Sequence, residues 1–198
     1  MLHVGITGGI GGGKSTVCRI FESLSIPVFY ADQAAKQVMH QDPQLVQAIK
    51  TTFGKESYSA QGVLNRSFLA KIVFNNAQQL ERLNQLVHPA TLRAYNHWAK
   101  LQSAPYLLKE AAILFESGSY KYCDYTVLVT APEDIRIQRV MQRDHISKQE
   151  VKARMDKQMP EEEKARMVDF ILINDGKQAL IPQVLKLHAS LLKQCKYA

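Results

Sequence analysis

The stretch Gly8-Gly9-Ile10-Gly11-Gly12-Gly13-Lys14-Ser15-Thr16 constrains this chain more than any other. An apolar run, Leu2 to Ile6, precedes it and a segment of helical periodicity from Val17 follows, so it sits where a strand hands over to a helix. From Gly8 to Ser15 it matches the phosphate-loop pattern G-x-x-x-x-G-K-[ST]. A loop that wraps a polyphosphate turns backbone N–H groups inward and passes through positive φ, which its five glycines allow without steric cost. The helix behind it adds the partial positive charge of its N-terminus. In such a loop Gly9, Gly11, Gly12 and Gly13 supply the cradle. Lys14 reaches the β- and γ-phosphates, the Ser15 hydroxyl ligates Mg²⁺, and Thr16 adds a contact near the α-phosphate. A merely flexible glycine turn would not explain Lys-Ser in register between a strand and a helix.

With 198 residues the chain suffices for one large domain with elaborations, or one domain plus a small inserted one. Hydrophobic content of 46% and charged content of 22% are ordinary for a soluble globular protein. There is no basic-then-apolar leader before the first strand and no run of 18 apolar residues, so a cytoplasmic protein without a membrane partner is expected. Cys18, Cys123 and Cys195 are far apart and lack metal-site spacing, which predicts free buried thiols. The net charge of +7 favours anionic partners. Because the basic residues are spread along the chain, nucleotides fit this charge better than nucleic acid.

Ser25 to Tyr30 reads as a second short strand, ending in Ala31-Asp32. Ligands of open parallel sheets collect at the carboxyl ends of the strands. Asp32 is therefore either a general base or metal-linked carboxylate, or simply the cap of a helix from Gln33 to His40; the two roles are compatible. From residue 42 to 102 no strand pattern appears. Asp42, Asn65 and Asn76 each precede helical periodicity in N-cap fashion, Gly54 to Val63 forms a loop or small hairpin, and His88-Pro89 breaks the helical run. His88 reads as a hydrogen-bonded turn residue, with a catalytic role open to its switchable charge.

Tyr106 to Leu108 resumes sheet-like sequence. Glu110 then stands near a strand end, either as an acid that helps hold hydrated Mg²⁺ or as a surface charge paired with Lys109. Tyr125 to Val129 is the clearest strand, and Phe170 to Ile173 the last. Strands alternating with helices predict a parallel α/β architecture. On the helix Glu133 to Arg143, Arg136, Arg139 and Arg143 share one side, as a solvated face or as a charge clamp on phosphates. Ser147-Lys148-Gln149-Glu150 has capping-box form, opening a second helix that carries Arg154 with Gln158 one turn beyond. Two arginine-bearing helices joined by a tight turn suggest a lid. Met159-Pro160 starts another helix with Pro at its first position, Asn174-Asp175-Gly176 ends the last strand at the ligand edge, and Ala179 to Leu192 forms a covering helix.

These residues together resemble the dephospho-CoA kinases, a family of P-loop kinases. The resemblance lies in GITGGIGGGKS at 5–15, YAD at 30–32, VHP at 87–89, ILFES at 113–117, IQRVMQRD through RMDKQ at 137–158, and VDFILIND at 168–175. It implies a three-layer α/β P-loop kinase fold with a five-stranded parallel sheet, a helical acceptor-binding insert and a small helical lid. The core would comprise residues 1–31, 103–136 and 159–198 of a single domain, the insert 32–102 and the lid 137–158. The implied reaction moves the ATP γ-phosphoryl group to the ribose 3′-hydroxyl of dephospho-CoA, with Mg²⁺. Asp32 would be the general base, Lys14 and Ser15 the phosphate and Mg²⁺ contacts, and Arg139 a lid arginine on the phosphates. His88, Phe115 and Glu116 would belong to the acceptor side, and Asn174 and Gly176 would lie near the adenine. Two positions depart from the pattern: Gly12 stands where the loop often has Ser, a harmless change if backbone donors do the cradling, and Ala112 stands where a Pro is usual. A monomer or small homo-oligomer acting on small molecules is expected. The rival readings are a kinase with another acceptor and an ATP-operated binding module, against which the chain lacks Asn-Lys-x-Asp and any recognisable nucleic-acid module.

Overall fold

The computed structural model describes residues 1–74 and 76–195, which fall into two compact units. One comprises Met1–Tyr30 with Gln102–Ala198, the other Ala31–Leu101. The first is built on five strands: β1 (Leu2–Thr7), β2 (Val28–Tyr30), β3 (Tyr106–Glu110), β4 (Tyr125–Thr130) and β5 (Phe170–Ile173). They lie in the order β2-β3-β1-β4-β5 and every pairing is parallel. Parallel neighbours cannot be joined by hairpins, so the sheet needs crossovers that cover its faces, and β1 at its centre is apolar on both sides. Helices α1 (Lys14–Ser23) and α9 (Leu180–Gln194) pack Val17, Cys18, Phe21, Val184, Leu187 and Leu191 against Val4, Ile6, Leu108, Val127 and Val129.

Connections leave β1 toward β2 and β4 toward β5, on opposite sides of the sheet. The switch point therefore lies at the carboxyl ends of β1 and β4, where parallel sheets place their ligands. The glycine loop begins there. Of the three thiols, all free, Cys18 is buried as expected whereas Cys123 and Cys195 are only half-buried.

The second unit is helical: α2 (Ala31–Gln41), α3 (Pro43–Phe53), α4 (Arg66–Val73) and α5 (Ala77–Lys100), around a core of Val38, Leu45, Ile49, Phe53, Tyr58, Leu69, Val87 and Ala90. Asp42, Asn65 and Asn76 cap three of these helices through their side-chain oxygens, as their positions predict. Between α3 and α4 the chain makes a 3₁₀ turn, Lys55–Ser57, and one antiparallel bridge, Tyr58 to Leu64.

Two expectations fail here. The helix does not break at His88-Pro89 but runs through it. Proline removes one N–H from a ladder 24 residues long, while Val87 and Ala90 on either side are buried in the same core and the Thr91 hydroxyl donates to the Val87 carbonyl at 2.9 Å. Nor does Asp32 cap its helix. It is the second residue inside α2, an acid in the first turn that complements the helix dipole.

In the sheet-containing unit, α6 (Glu133–Asp144) and α7 (Lys148–Met155) pack through Ile137, Val140 and Val151, and Ser147 and Glu150 form the predicted reciprocal capping box. Pro160 occupies the N-cap of α8 (Glu161–Met167), one position earlier than expected.

Candidate active site

At the head of α1 the N-cap is Gly13, with φ of 99° and no side chain to occupy the first-turn N–H groups. Lys14 donates to the Gly8 carbonyl at 2.9 Å, and its ammonium lies 4.0 Å from a carboxylate oxygen of Glu110. Glu110 ends β3 in register with Ile6 of β1 and Tyr30 of β2. The reading of Glu110 as a surface charge paired with Lys109 is therefore wrong: both are buried, at 7% and 3% exposure, and successive strand residues face opposite sides of a sheet. Burial pushes the Lys109 ammonium below the usual lysine range. Burial, with the Glu110 charge second, pushes the Cys18 thiol well up, so it is inert. Ser15 and Thr16 open α1 with exposed side chains.

Side chains brace the outer surface of the loop. Gly9 N–H donates to Glu161 Oε1 at 3.2 Å and Ile10 N–H to Gln158 Oε1 at 3.0 Å. Arg139 donates to the carbonyls of Gly11 at 3.4 Å and Asn174 at 2.9 Å, and the Asn174 amide donates to the Gly12 carbonyl at 3.0 Å. Buried Arg136 pairs with Glu161 at 3.3 Å. The row of arginines on α6 thus divides: Arg136 and Arg139 face the loop, whereas Arg143 pairs with Asp144 on the surface. Of the glycines named from the pattern, Gly9 meets a carboxylate from the same chain, and Gly11 and Gly12 turn their carbonyls outward to Arg139 and Asn174.

After β3 the chain passes through Ala112 to Glu116. The Ala112 carbonyl accepts from Lys164 Nζ at 3.0 Å and from the Thr7 hydroxyl at 3.4 Å. Glu116 Oε1 pairs with the same ammonium at 2.9 Å and accepts from Met159 N–H at 2.9 Å. Phe115 is buried, its ring 5.1 Å from that of Tyr120. Where a Pro would stiffen this segment, Ala112 is held through its carbonyl instead. Past β5, Gly176 is exposed in a turn whose N–H groups at Lys177 and Gln178 donate to Asp175.

In the helical unit, Asp32 is exposed in the first turn of α2 and two residues beyond the end of β2 in the chain, while His88 is half-buried on α5. Glu161 and Lys164, whose side chains meet the loop and the segment after β3, are positions that sequence reasoning missed. Both belong to an acidic and basic run, Glu161-Glu162-Glu163-Lys164, in which no residue is marked as the one turned inward. Among the described residues no group of three or more His, Cys, Asp or Glu is placed to hold a metal, and no helix is long and apolar enough to cross a membrane.

The arrangement is one of fixed donors and cations at a strand-to-helix turn, chemistry that can bind and neutralise polyphosphate. Comparison with known proteins agrees. A family model described as dephospho-CoA kinase matches residues 2–179. A curated dephospho-CoA kinase of Salinibacter ruber is 42% identical over 179 residues, covering 89% of this chain and 90% of its own. Among solved structures, one from Thermus thermophilus superposes with a TM-score of 0.84 at 33% identity, over 96% of both chains. A dephospho-CoA kinase from Campylobacter jejuni superposes with a TM-score of 0.68 at 28% identity, over 97% of this chain and 98% of its own.

Proposed function

The chain belongs to the dephospho-CoA kinase family, and from that premise we propose how its own residues divide the work. It is a kinase that transfers the ATP γ-phosphoryl group to the ribose 3′-hydroxyl of dephospho-CoA, giving coenzyme A and ADP. The observation that carries this reading is the Lys14 ammonium, held 4.0 Å from Glu110 at the N-terminus of α1 and the sheet's switch point.

The backbone N–H groups at the head of α1 bind the phosphates, and Lys14 follows the charge that moves to the β–γ bridging oxygen as that bond breaks. Arg139, which donates to the Gly11 carbonyl, turns its guanidinium to the transferring group in this reading. Asp32 takes the proton of the 3′-hydroxyl as the new O–P bond forms, assistance worth about 10²- to 10⁴-fold. His88, Phe115 and Glu116 orient the acceptor, and Asn174 and Gly176 border the adenine. The residues fit Mg²⁺: Ser15 Oγ and the Glu110 carboxylate are hard oxygen donors, and this ion takes one or two protein oxygens with water and substrate phosphates. When bound it neutralises charge on the β- and γ-oxygens. Residues 32–102 are read as the acceptor-binding insert and 137–158 as the lid, in a cytoplasmic monomer or small homo-oligomer.

The test is ADP release from Mg-ATP with dephospho-CoA, AMP, adenosine and other nucleosides as acceptors, the product mass being recorded. A phosphate-sized gain on dephospho-CoA alone is the expected result. A gain on another acceptor overturns the substrate, and none on any acceptor overturns the reaction.

A further inference from the structure

Lys164 is fully buried, with 0% of its side chain exposed, and none of the roles above uses it. A buried ammonium survives only where its lost hydration is replaced by an opposite charge and hydrogen-bond acceptors. Both replacements come from one short segment, through Glu116 Oε1 at 2.9 Å and the Ala112 carbonyl at 3.0 Å. Met159 N–H donates to that same Oε1. Glu116 is exposed as a residue, yet its side chain is only 23% exposed, and among the described residues no donor reaches its Oε2. One carboxylate oxygen is thus fixed by two donors, which leaves the other for a further donor.

From this geometry we infer that Lys164 is a positioning residue for the acceptor, acting through Glu116: it fixes the plane of that carboxylate so that Oε2 meets a hydroxyl or N–H donor of the acceptor. The inference rests on the reading of Glu116 as an acceptor contact. It also accounts for Ala112. A carbonyl pinned by Lys164 and Thr7 fixes the segment that a proline would otherwise stiffen.

Steady-state kinetics of the full-length enzyme test it. Lys164→Met is expected to raise KM for dephospho-CoA about 10- to 100-fold, the scale of a small misplacement of a binding group, with KM for ATP within twofold of wild type. Lys164→Arg, which keeps charge and donors, recovers most of this. In the Glu116→Ala background Lys164→Met adds nothing further. Glu116→Asp, at a partly exposed position that endangers the fold less, withdraws the carboxylate from Nζ and also raises only the acceptor KM. If Glu116→Ala leaves the acceptor KM unchanged, the reading of Glu116 fails. If Glu116→Ala raises it but Lys164→Met and Glu116→Asp do not, the positioning role is overturned. Equal rises in both KM values with a lowered Tm would make Lys164 a structural anchor and overturn the role as well.

Discussion

Arg139 and Asn174 hold each other against the phosphate loop. The guanidinium donates to the Asn174 carbonyl at 2.9 Å and to the Gly11 carbonyl at 3.4 Å, while the Asn174 amide donates to the Gly12 carbonyl at 3.0 Å. Two successive carbonyls are thereby drawn outward. In a trans peptide the N–H of the next residue points the opposite way, so drawing out the Gly12 carbonyl aims the Gly13 N–H inward. A residue on a helix and another at a strand end thus set the cradle before any nucleotide arrives, which is how preorganised donors favour a developing charge.

Removing the two members of this brace has unequal effects. Asn174→Ala loses the bond to Gly12 but keeps a backbone carbonyl for Arg139, so KM for ATP rises about tenfold, one charge-free hydrogen bond's worth. Arg139→Ala loses the brace and the guanidinium charge together, and kcat/KM falls about 10²- to 10³-fold. Lysine at 139 recovers little, since it lacks the planar fork. Steady-state kinetics with ATP varied at saturating acceptor separates these outcomes.

Gly13→Ala is expected to abolish nucleotide binding. Its φ of 99° costs an L-residue roughly 1–2 kcal/mol, and the added Cβ would lie 2.0 Å from Asn174 Nδ2, displacing the amide that holds Gly12. Isothermal titration with ATP should show no binding and thermal unfolding a Tm lower by several degrees. Gly12→Ser, toward the residue common in such loops, is not free either. Its Cβ would meet the Val129 carbonyl at 2.8 Å, so KM for ATP rises.

Glu110→Gln distinguishes two uses of the buried carboxylate beside Lys14. If it helps hold Mg²⁺, the substitution lowers kcat about 100-fold and raises the Mg²⁺ concentration at half-maximal rate, as does loss of other positioned oxygen ligands. A Mg²⁺ titration at fixed ATP checks this. An unchanged midpoint would leave Glu110 only the task of neutralising Lys14.

The acid end of the stability profile should depend on Asp42. Bonds from the Leu45 N–H, then Arg93, hold its carboxyl below the usual carboxylate range. A depressed folded-state pKa means stability that is fully present above the unfolded value of about 3.9 and lost as pH falls through the folded value. Asp42→Ala removes the cap and costs about 1 kcal/mol at neutral pH; Asp42→Asn keeps the cap but loses the charge. Denaturant titrations across the acid range should show the difference between wild type and Asp42→Asn shrinking to nothing at the lowest pH.

What was legible in the sequence was local. The loop pattern, the caps at Asp42, Asn65 and Asn76, and the Ser147 capping box each depend on residues within a few positions. The parallel sheet followed from alternation of strand and helix. The illegible part was long-range. Nothing near Lys164 announces a partner 52 residues away, nor anything near Asn174 a loop carbonyl 162 positions earlier. Pro89 misled for the same reason, because a local rule about helix breaking yielded to burial of the residues on either side. For Glu110 the sequence left two roles open, an acid near Mg²⁺ or a surface charge paired with Lys109, and the sheet removes only the second by burying both residues and turning them to opposite faces.

The division of labour proposed here turns on Asp32 as the base. The most direct measurement is single-turnover transfer from Mg-ATP to dephospho-CoA by Asp32→Asn, with the Kd for ATP determined on the same sample. With Asp32 as the base, the Kd stays unchanged and the transfer rate falls by about 10²-fold or more. Near wild-type transfer with intact ATP binding would contradict it and move the proton to another acceptor.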